Sequence, residues 1–287
     1  MTMAKWKTAF LPYWSNDADE TLKVLSEIGY DGVEWLRFIN FMSGDELKEI
    51  CAKARAKGMG VPDIMGGADL IVLKDEERAQ RVQFVIDSIE MARDASVPIV
   101  NMTTGPADWG ESPVKLGKDI TEGKAWEILS DSFGKVIESA EKNDVMVTIE
   151  AAFNNLVRDY YTLQEFLGRF DSKKLGVNMD PSHLALLGND IPWVVRRLGK
   201  KIKHVHMKDA FGKPGTQNQD FIFPLLGEGV IDWKGFFEAL KEVGYEGYLS
   251  IEYESENYMK NILQGDWTKV AKVSKEQLDA LLQLAGV

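Results

Sequence analysis

The sequence predicts an α/β protein folded as one (β/α)8 barrel spanning residues 1–287. Three observations predict it. Short apolar runs of period-two character alternate, end to end, with longer stretches whose apolar period is near 3.6. Such alternation leaves a doubly wound open sheet or a closed barrel. The open sheet expects a glycine-rich phosphate turn after its first strand, and Tyr13-Trp14-Ser15-Asn16-Asp17 contains no glycine. The length also suits a barrel, and no Pro/Ser-rich linker interrupts the series.

The strands are expected at 8–13, 32–36, 60–64, 99–103, 145–150, 175–180, 202–207 and 248–253. The helices between and after them are expected near 17–28, 44–57, 75–95, 124–143, 162–170, 190–199, 233–243 and 274–285. Ile28-Gly29-Tyr30-Asp31-Gly32 and Val243-Gly244-Tyr245-Glu246-Gly247 each place a glycine where a helix ends and a strand begins. Their similarity is a faint trace of an internal βα repeat. Asp232 before Trp233 reads as the N-cap of the seventh helix. The segments 104–123 and 210–231 are the most irregular, and loops of that length usually serve as lids or binding loops.

Composition removes several function classes. Lys+Arg 34 against Asp+Glu 45 gives a net charge of −11. A protein so acidic lacks the basic face that nucleic acid or an anionic membrane surface requires. The lone Cys51 rules out an internal disulfide and a cysteine-built zinc site. The first residues show no signal-peptide run, and no stretch approaches the roughly 18 apolar residues of a membrane helix. The expectation is a soluble cytoplasmic protein acting on a small molecule, with homo-oligomerisation left open.

A barrel places its chemistry at the C-terminal ends of its strands. Strand five ends in Glu150, strand six in Asp180 with His183 three residues on, strand seven carries His204, His206 and Lys208, and strand eight ends in Glu252. Period-two alternation turns Val147 and Ile149 outward and Glu150 inward. It likewise turns Asn178 and Asp180, His204 and His206, and Ser250 and Glu252 toward the axis. Four consecutive strands thus aim Glu150, Asp180, His206 and Glu252 at one spot. Three carboxylates cannot share a water-poor pocket as anions without a cation. Either they pair with the barrel's own lysines and arginines, or they hold a divalent metal with the imidazole. Mn²⁺, Co²⁺ and Mg²⁺ suit this mixed set better than a thiolate-loving metal does.

These residues carry a family resemblance. Gly-Val-Asn-Met-Asp180-Pro-Ser-His183, His204-Val-His206-Met-Lys-Asp209, Gly227-Glu-Gly-Val-Ile-Asp-Trp233 and Gly247-Tyr-Leu-Ser-Ile-Glu252 resemble the sugar phosphate isomerase/epimerase family. Gly-Val-Glu34 on strand two resembles it too. That xylose-isomerase-like superfamily includes ketose 3-epimerases, inosose-processing enzymes and abasic-site endonucleases. The resemblance implies that Glu150, Asp180, His206 and Glu252 hold one Mn²⁺-like ion and that His183 touches substrate. Ketose 3-epimerases carry an arginine six residues after the metal histidine, where this chain has Gly212.

The remaining polar residues admit two readings each. His204 reads as a hydrogen-bonded histidine inside the barrel. Glu34 binds substrate hydroxyls or pairs with an inward lysine. Lys208 binds a substrate oxygen, or Lys208 and Asp209 pair with each other or a neighbouring loop. Trp109, Phe211, Phe221 and Phe223 stack on a sugar ring or an aglycone, or simply pack the loops. Gly227-Glu228-Gly229 is weak evidence for phosphate binding, and Glu254 and Glu256 read as solvated.

The expected enzyme is a keto-sugar epimerase or isomerase. Glu150 and Glu252 act as its proton-transfer pair, and the metal stabilises the enediolate. The alternative is a lyase or dehydratase on the same enolate, of inosose type or releasing the aglycone of a 3-keto-glycoside. A nucleic-acid repair enzyme is disfavoured by three histidines and the acidic charge.

Overall fold

The computed structural model describes residues 6–106 and 114–286. The chain runs β1 (Lys7–Leu11), α1 (Ala18–Ile28), β2 (Gly32–Val33), β3 (Trp35–Leu36), α2 (Gly44–Ala56), β4 (Ile64–Met65), α3 (Asp75–Asp94) and β5 (Ile99–Met102). It continues with α4 (Glu122–Asn143), β6 (Met146–Glu150), α5 (Tyr160–Leu167), β7 (Leu175–Met179), α6 (Pro181–Leu186), α7 (Ile191–Leu198) and β8 (Ile202–Met207). A hairpin β9 (Phe211–Gly212) and β10 (Phe221–Ile222) precedes α8 (Trp233–Glu242), β11 (Tyr248–Glu252), α9 (Glu256–Asn261) and α10 (Trp267–Leu284).

The main sheet is parallel in the order β2-β1-β11-β8-β7-β6-β5-β4-β3. Its first and last members are two pieces of one strand, parted only at Glu34. The Glu34 N–H donates to Phe10 at 3.0 Å, the Val33 N–H donates to Gly60 at 3.0 Å, and a bridge joins Gly32 to Gly60. The ring therefore closes at eight strand positions, and the predicted barrel is the observed fold. Trp35, Phe10, Phe133, Phe166, Phe236 and Phe237 are fully buried in the hydrophobic core.

Local chemistry sets the helix ends. Gly29 takes φ 95° and its N–H returns to Leu25, the left-handed C-cap that a Cβ would strain. Asp232 accepts the Gly235 N–H at 3.0 Å and caps α8 as expected. Asp266 accepts the amides of Thr268 and Lys269, so α10 starts at Trp267, ahead of the apolar pattern at 274. The third strand departs from its expected place at 60–64. Gly60 contributes only a bridge, and a Cβ there would meet the Tyr248 hydroxyl at 2.2 Å. The paired residues are Ile64 and Met65. Segment 210–231 is less irregular than expected, since it carries the β9–β10 hairpin. Among the described residues no helix is long and apolar enough to cross a membrane.

Candidate metal centre and active site

Each ligand candidate sits where its strand runs out. Glu150 closes β6 and Glu252 closes β11, while Asp180 follows β7 and caps α6. The Asp180 Oδ1 accepts the Ser182 N–H at 2.7 Å, with Pro181 supplying the pre-set first turn. That bond leaves Oδ2 buried and facing the Lys208 ammonium at 2.9 Å. His206 lies inside β8. One ligand atom from each of Glu150, Asp180, His206 and Glu252 falls within 4.8 Å of the others, and all four residues are buried.

The imidazole is oriented from both sides. Nδ1 of His206 lies 3.1 Å from Glu150 Oε2 and 3.1 Å from Glu252 Oε2. Nε2 faces Glu34 Oε2 at 3.1 Å. A metal-bound histidine characteristically donates from its outer nitrogen to a carboxylate, which fixes its tautomer. Glu34 fills that position, and its other oxygen is bonded to His204. Burial favours a neutral Glu34, yet the charges and hydrogen bonds of His204 and His206 hold its carboxyl far below the usual range. Glu34 therefore pairs with two histidines, not with a lysine, and lies beneath the cavity that opens above the ligands.

Glu150 is held by amides. Its Oε2 accepts from Asn178 Nδ2 at 2.7 Å and Asn101 Nδ2 at 3.1 Å, and Asn101 is steadied by Thr148 at 3.0 Å. Burial pushes the carboxyl up, but His206, His183 and Lys208 outweigh it and hold it well below the carboxylate range. His206 shows the reverse balance. Burial disfavours its charge, while Glu252, Glu34 and Glu150 drive its pKa well above the ordinary imidazole value.

Lys208 stands beside the ligands. Its Nζ lies 2.6 Å from Glu252 Oε2, 2.9 Å from Asp180 Oδ2 and 2.8 Å from Glu254 Oε2. With His206 neutral, as a metal ligand must be, the four ligand candidates plus Lys208 carry three negative charges and one positive, leaving a deficit that a divalent cation cancels. Three carboxylates and one imidazole nitrogen, buried and within 4.8 Å of one another, thus fit an oxygen-loving divalent ion.

His183 rises from α6 into the same space, 3.4 Å from Glu150 Oε1 and 3.3 Å from Lys208 Nζ. Phe153 and Phe223 hold its ring at centroid distances of 5.7 and 5.6 Å. Phe221 and Phe223 form a wall of the cavity, whereas Phe211 is 57% exposed outside it. Trp109 lies outside the described residues.

Several expectations are corrected here. Glu254 is not simply solvated, because it reaches Lys208 and lines the cavity. Glu256 is solvated as expected, exposed at the cavity's outer edge and paired with Lys260. Lys208 and Asp209 do not pair with each other. Asp209 turns away and accepts from the amides of Ala210, Gly227, Gly229 and Ile231 and from the Trp233 indole. The Gly227 and Gly229 amides therefore bind a carboxylate of this chain rather than a phosphate. Two buried residues escaped the sequence reading, Asn101 and Asp63. Asn101 had the inward parity that marks it; Asp63 lay within a misplaced strand. Burial, reinforced by Glu34, raises the Asp63 carboxyl well above its usual range, and neither oxygen has a hydrogen-bond partner.

Comparison with known proteins agrees with this architecture. An inosose dehydratase from Geobacillus thermodenitrificans (strain NG80-2) is 26% identical over 162 residues, covering 53% of this chain and 54% of that protein. The chain thus spans about half the length of that curated relative. A solved D-tagatose 3-epimerase-like protein superposes with a TM-score of 0.78 at 22% identity, covering 98% of each chain. The IOLI protein, solved with a bound zinc atom, superposes with a TM-score of 0.76 at 19% identity, over 96% of this chain and 98% of that one. The family model described as xylose isomerase-like TIM barrel matches residues 22–283, so with its closed parallel barrel the chain belongs to that family.

Proposed function

We propose that this chain is a divalent-metal-dependent keto-sugar epimerase or isomerase, with Mn²⁺ as its ion and the cytoplasm as its setting. One observation carries the reading: Glu150 and Glu252 flank the same His206 nitrogen at 3.1 Å each and both line the cavity. A metal held by Glu150, Asp180, His206 and Glu252 supplies positive charge beside the substrate oxygen that gains electron density.

The protein's own groups do the rest. Glu150 Oε2 is committed to the asparagine amides, which leaves Oε1 as the proton-accepting atom near His183. This carboxylate takes the proton from the carbon beside the carbonyl, and the electron pair moves onto the carbonyl oxygen. From the other side Glu252 passes a solvent-derived proton to the same carbon, and the proton left on Glu150 returns to solvent. His183 and Lys208 hydrogen-bond the oxygen that becomes negative, and Phe221 and Phe223 keep water from that side. Similarity to a 3-epimerase-like structure and to the zinc-bound IOLI protein supports the reading.

Elimination is the second reading. It is favoured by the Lys208–His183 contact at 3.3 Å, a proton source beside Glu252 for a leaving oxygen, and by similarity to an inosose dehydratase. Proton NMR in D₂O with Mn²⁺ tests both on a panel of keto-sugars, inososes and 3-keto-glycosides. Deuterium entering one carbon with a new stereoisomer or a moved carbonyl supports the first reading. A new alkene signal or a released aglycone supports the second. No exchange and no turnover across the panel would remove both.

A further inference from the structure

The cavity above the ligand cluster is larger than a lone keto-sugar needs. It encloses about 1630 Å³, against the ~300–1,000 Å³ that accommodates a drug-sized ligand. From Glu150 and Glu252 it extends to the turn after β3 and to α3, where Arg37, Phe38 and Phe84 line it.

Phe38 is the residue that folding does not explain. Its φ of 69° lies in the left-handed region, where glycine would sit without strain. The turn is already closed by backbone, since the Phe38 N–H donates to Phe41 at 2.9 Å. Yet a large apolar ring is kept there, 59% exposed. The ring stacks on Phe84 with centroids 4.9 Å apart and planes at 21°. The Arg37 guanidinium lies 3.8 Å from the Phe84 centroid and is tied to Phe84 O at 2.6 Å and Ser88 Oγ at 2.7 Å. Phe84 and Arg37 thus brace Phe38, which presents ring surface to the cavity. Strain retained at a cavity wall points to a ligand.

We propose that this shelf is a subsite for a planar, uncharged ring carried by the substrate, the aromatic aglycone of a keto-glycoside. Its sugar carbonyl stands at the Glu150–Glu252 centre, so the inference rests on the keto-sugar reading. The uncharged character follows from the shelf's guanidinium groups. Arg37 is turned onto the Phe84 ring and the Phe84 and Ser88 oxygens, and Arg81 pairs with Glu77 at 2.6 Å, so the surface offered to a ligand at this end is the Phe38 ring. Continuity with the ligand cluster favours a substrate ring over a protein partner, because Phe38 and the ligands Glu150 and Glu252 line one cavity.

Calorimetric titration of the manganese-supplemented protein with methyl and phenyl 3-keto-β-glucosides tests the subsite. The phenyl compound is expected to bind about tenfold tighter, the scale of one good aromatic contact. In Phe38→Gly the ratio of the two dissociation constants should fall to about one. Its melting temperature should hold or rise, because glycine suits the backbone at that position. Equal affinities in the wild type, or an unchanged ratio in the variant, overturns the subsite. If the methyl 3-keto-glucoside binds and exchanges deuterium without any phenyl preference, the keto-sugar reading survives and the subsite falls. Binding of neither compound removes the subsite too. An unchanged ratio with a lowered melting temperature gives the ring to fold stability. An unchanged ratio with dissociation of an oligomer gives it to a protein interface.

Discussion

Glu34 Oε2 meets Nε2 of His206 at 3.1 Å, on the far side of the imidazole from the Glu150 and Glu252 carboxylates that face Nδ1. A residue 172 positions away in sequence thus orients the imidazole of the candidate ligand histidine.

One divalent ion per chain is the first expectation. Elemental analysis after manganese supplementation should find it in the wild type and not in His206→Ala. Glu34→Gln should weaken manganese about 10–100-fold, the usual effect of removing a carboxylate behind a ligating histidine. Wild-type affinity in that variant, measured by calorimetry, would deny Glu34 the orienting role.

Glu150→Gln and Glu252→Gln should each lower turnover by about 10²-fold or more. Each amide keeps a metal-capable oxygen and loses the proton-accepting one. Steady-state rates with the metal content measured in parallel separate loss of the base from loss of the ion. Near-normal rates in both metal-loaded variants would place the proton transfer elsewhere.

Asp209→Ala should destabilise the fold by about 3 kcal/mol or more, since four backbone amides and an indole N–H lose their shared acceptor. Urea unfolding measures this directly. A change below about 1 kcal/mol would mean that water replaces the carboxylate at little cost.

Asp63 gives a pH dependence with a definite sign. Its folded pKa is raised well above 3.8 by burial first and by Glu34 second, so the native state keeps a proton that the unfolded chain releases. Its contribution is most favourable below about pH 4 and is lost as pH rises toward the folded value. Asp63→Asn has no such proton to hold. It should therefore gain stability relative to wild type as pH rises from about 4 to 8, by about 1 kcal/mol or more. Parallel denaturation curves for the two proteins across that range would contradict the assignment.

The ligand cluster was legible because it depends on two regularities that need no tertiary knowledge. Parallel strands end at one rim, and alternate residues share a face, so parity alone brings Glu150, Asp180, His206 and Glu252 together. Both regularities stop at the strand ends. Glu254 lies two residues past that limit, and its reach to Lys208 was invisible. The third strand was misplaced because only two residues pair, and Pro62 and Asp63 give no alternation. Phe38 and Phe84 meet only after β3 and α3 are packed, so no local pattern announces their stack. The masking of Glu34 was different in kind. Its inward position was read correctly, but the choice among partners required knowing that His204 and His206 lie across the barrel axis.

Asp209 has a consequence for how such an enzyme can diversify. It grips Ala210 at one end of the rim segment and Gly227, Gly229 and Ile231 at the other. The entropy of closing that loop is therefore met by one side chain outside the variable stretch. Residues 211–226 form an exchangeable cassette: mutation can recast this part of the cavity wall while the barrel and its candidate ligands keep their places. Selection for new substrates would then act on a segment whose ends are already moored.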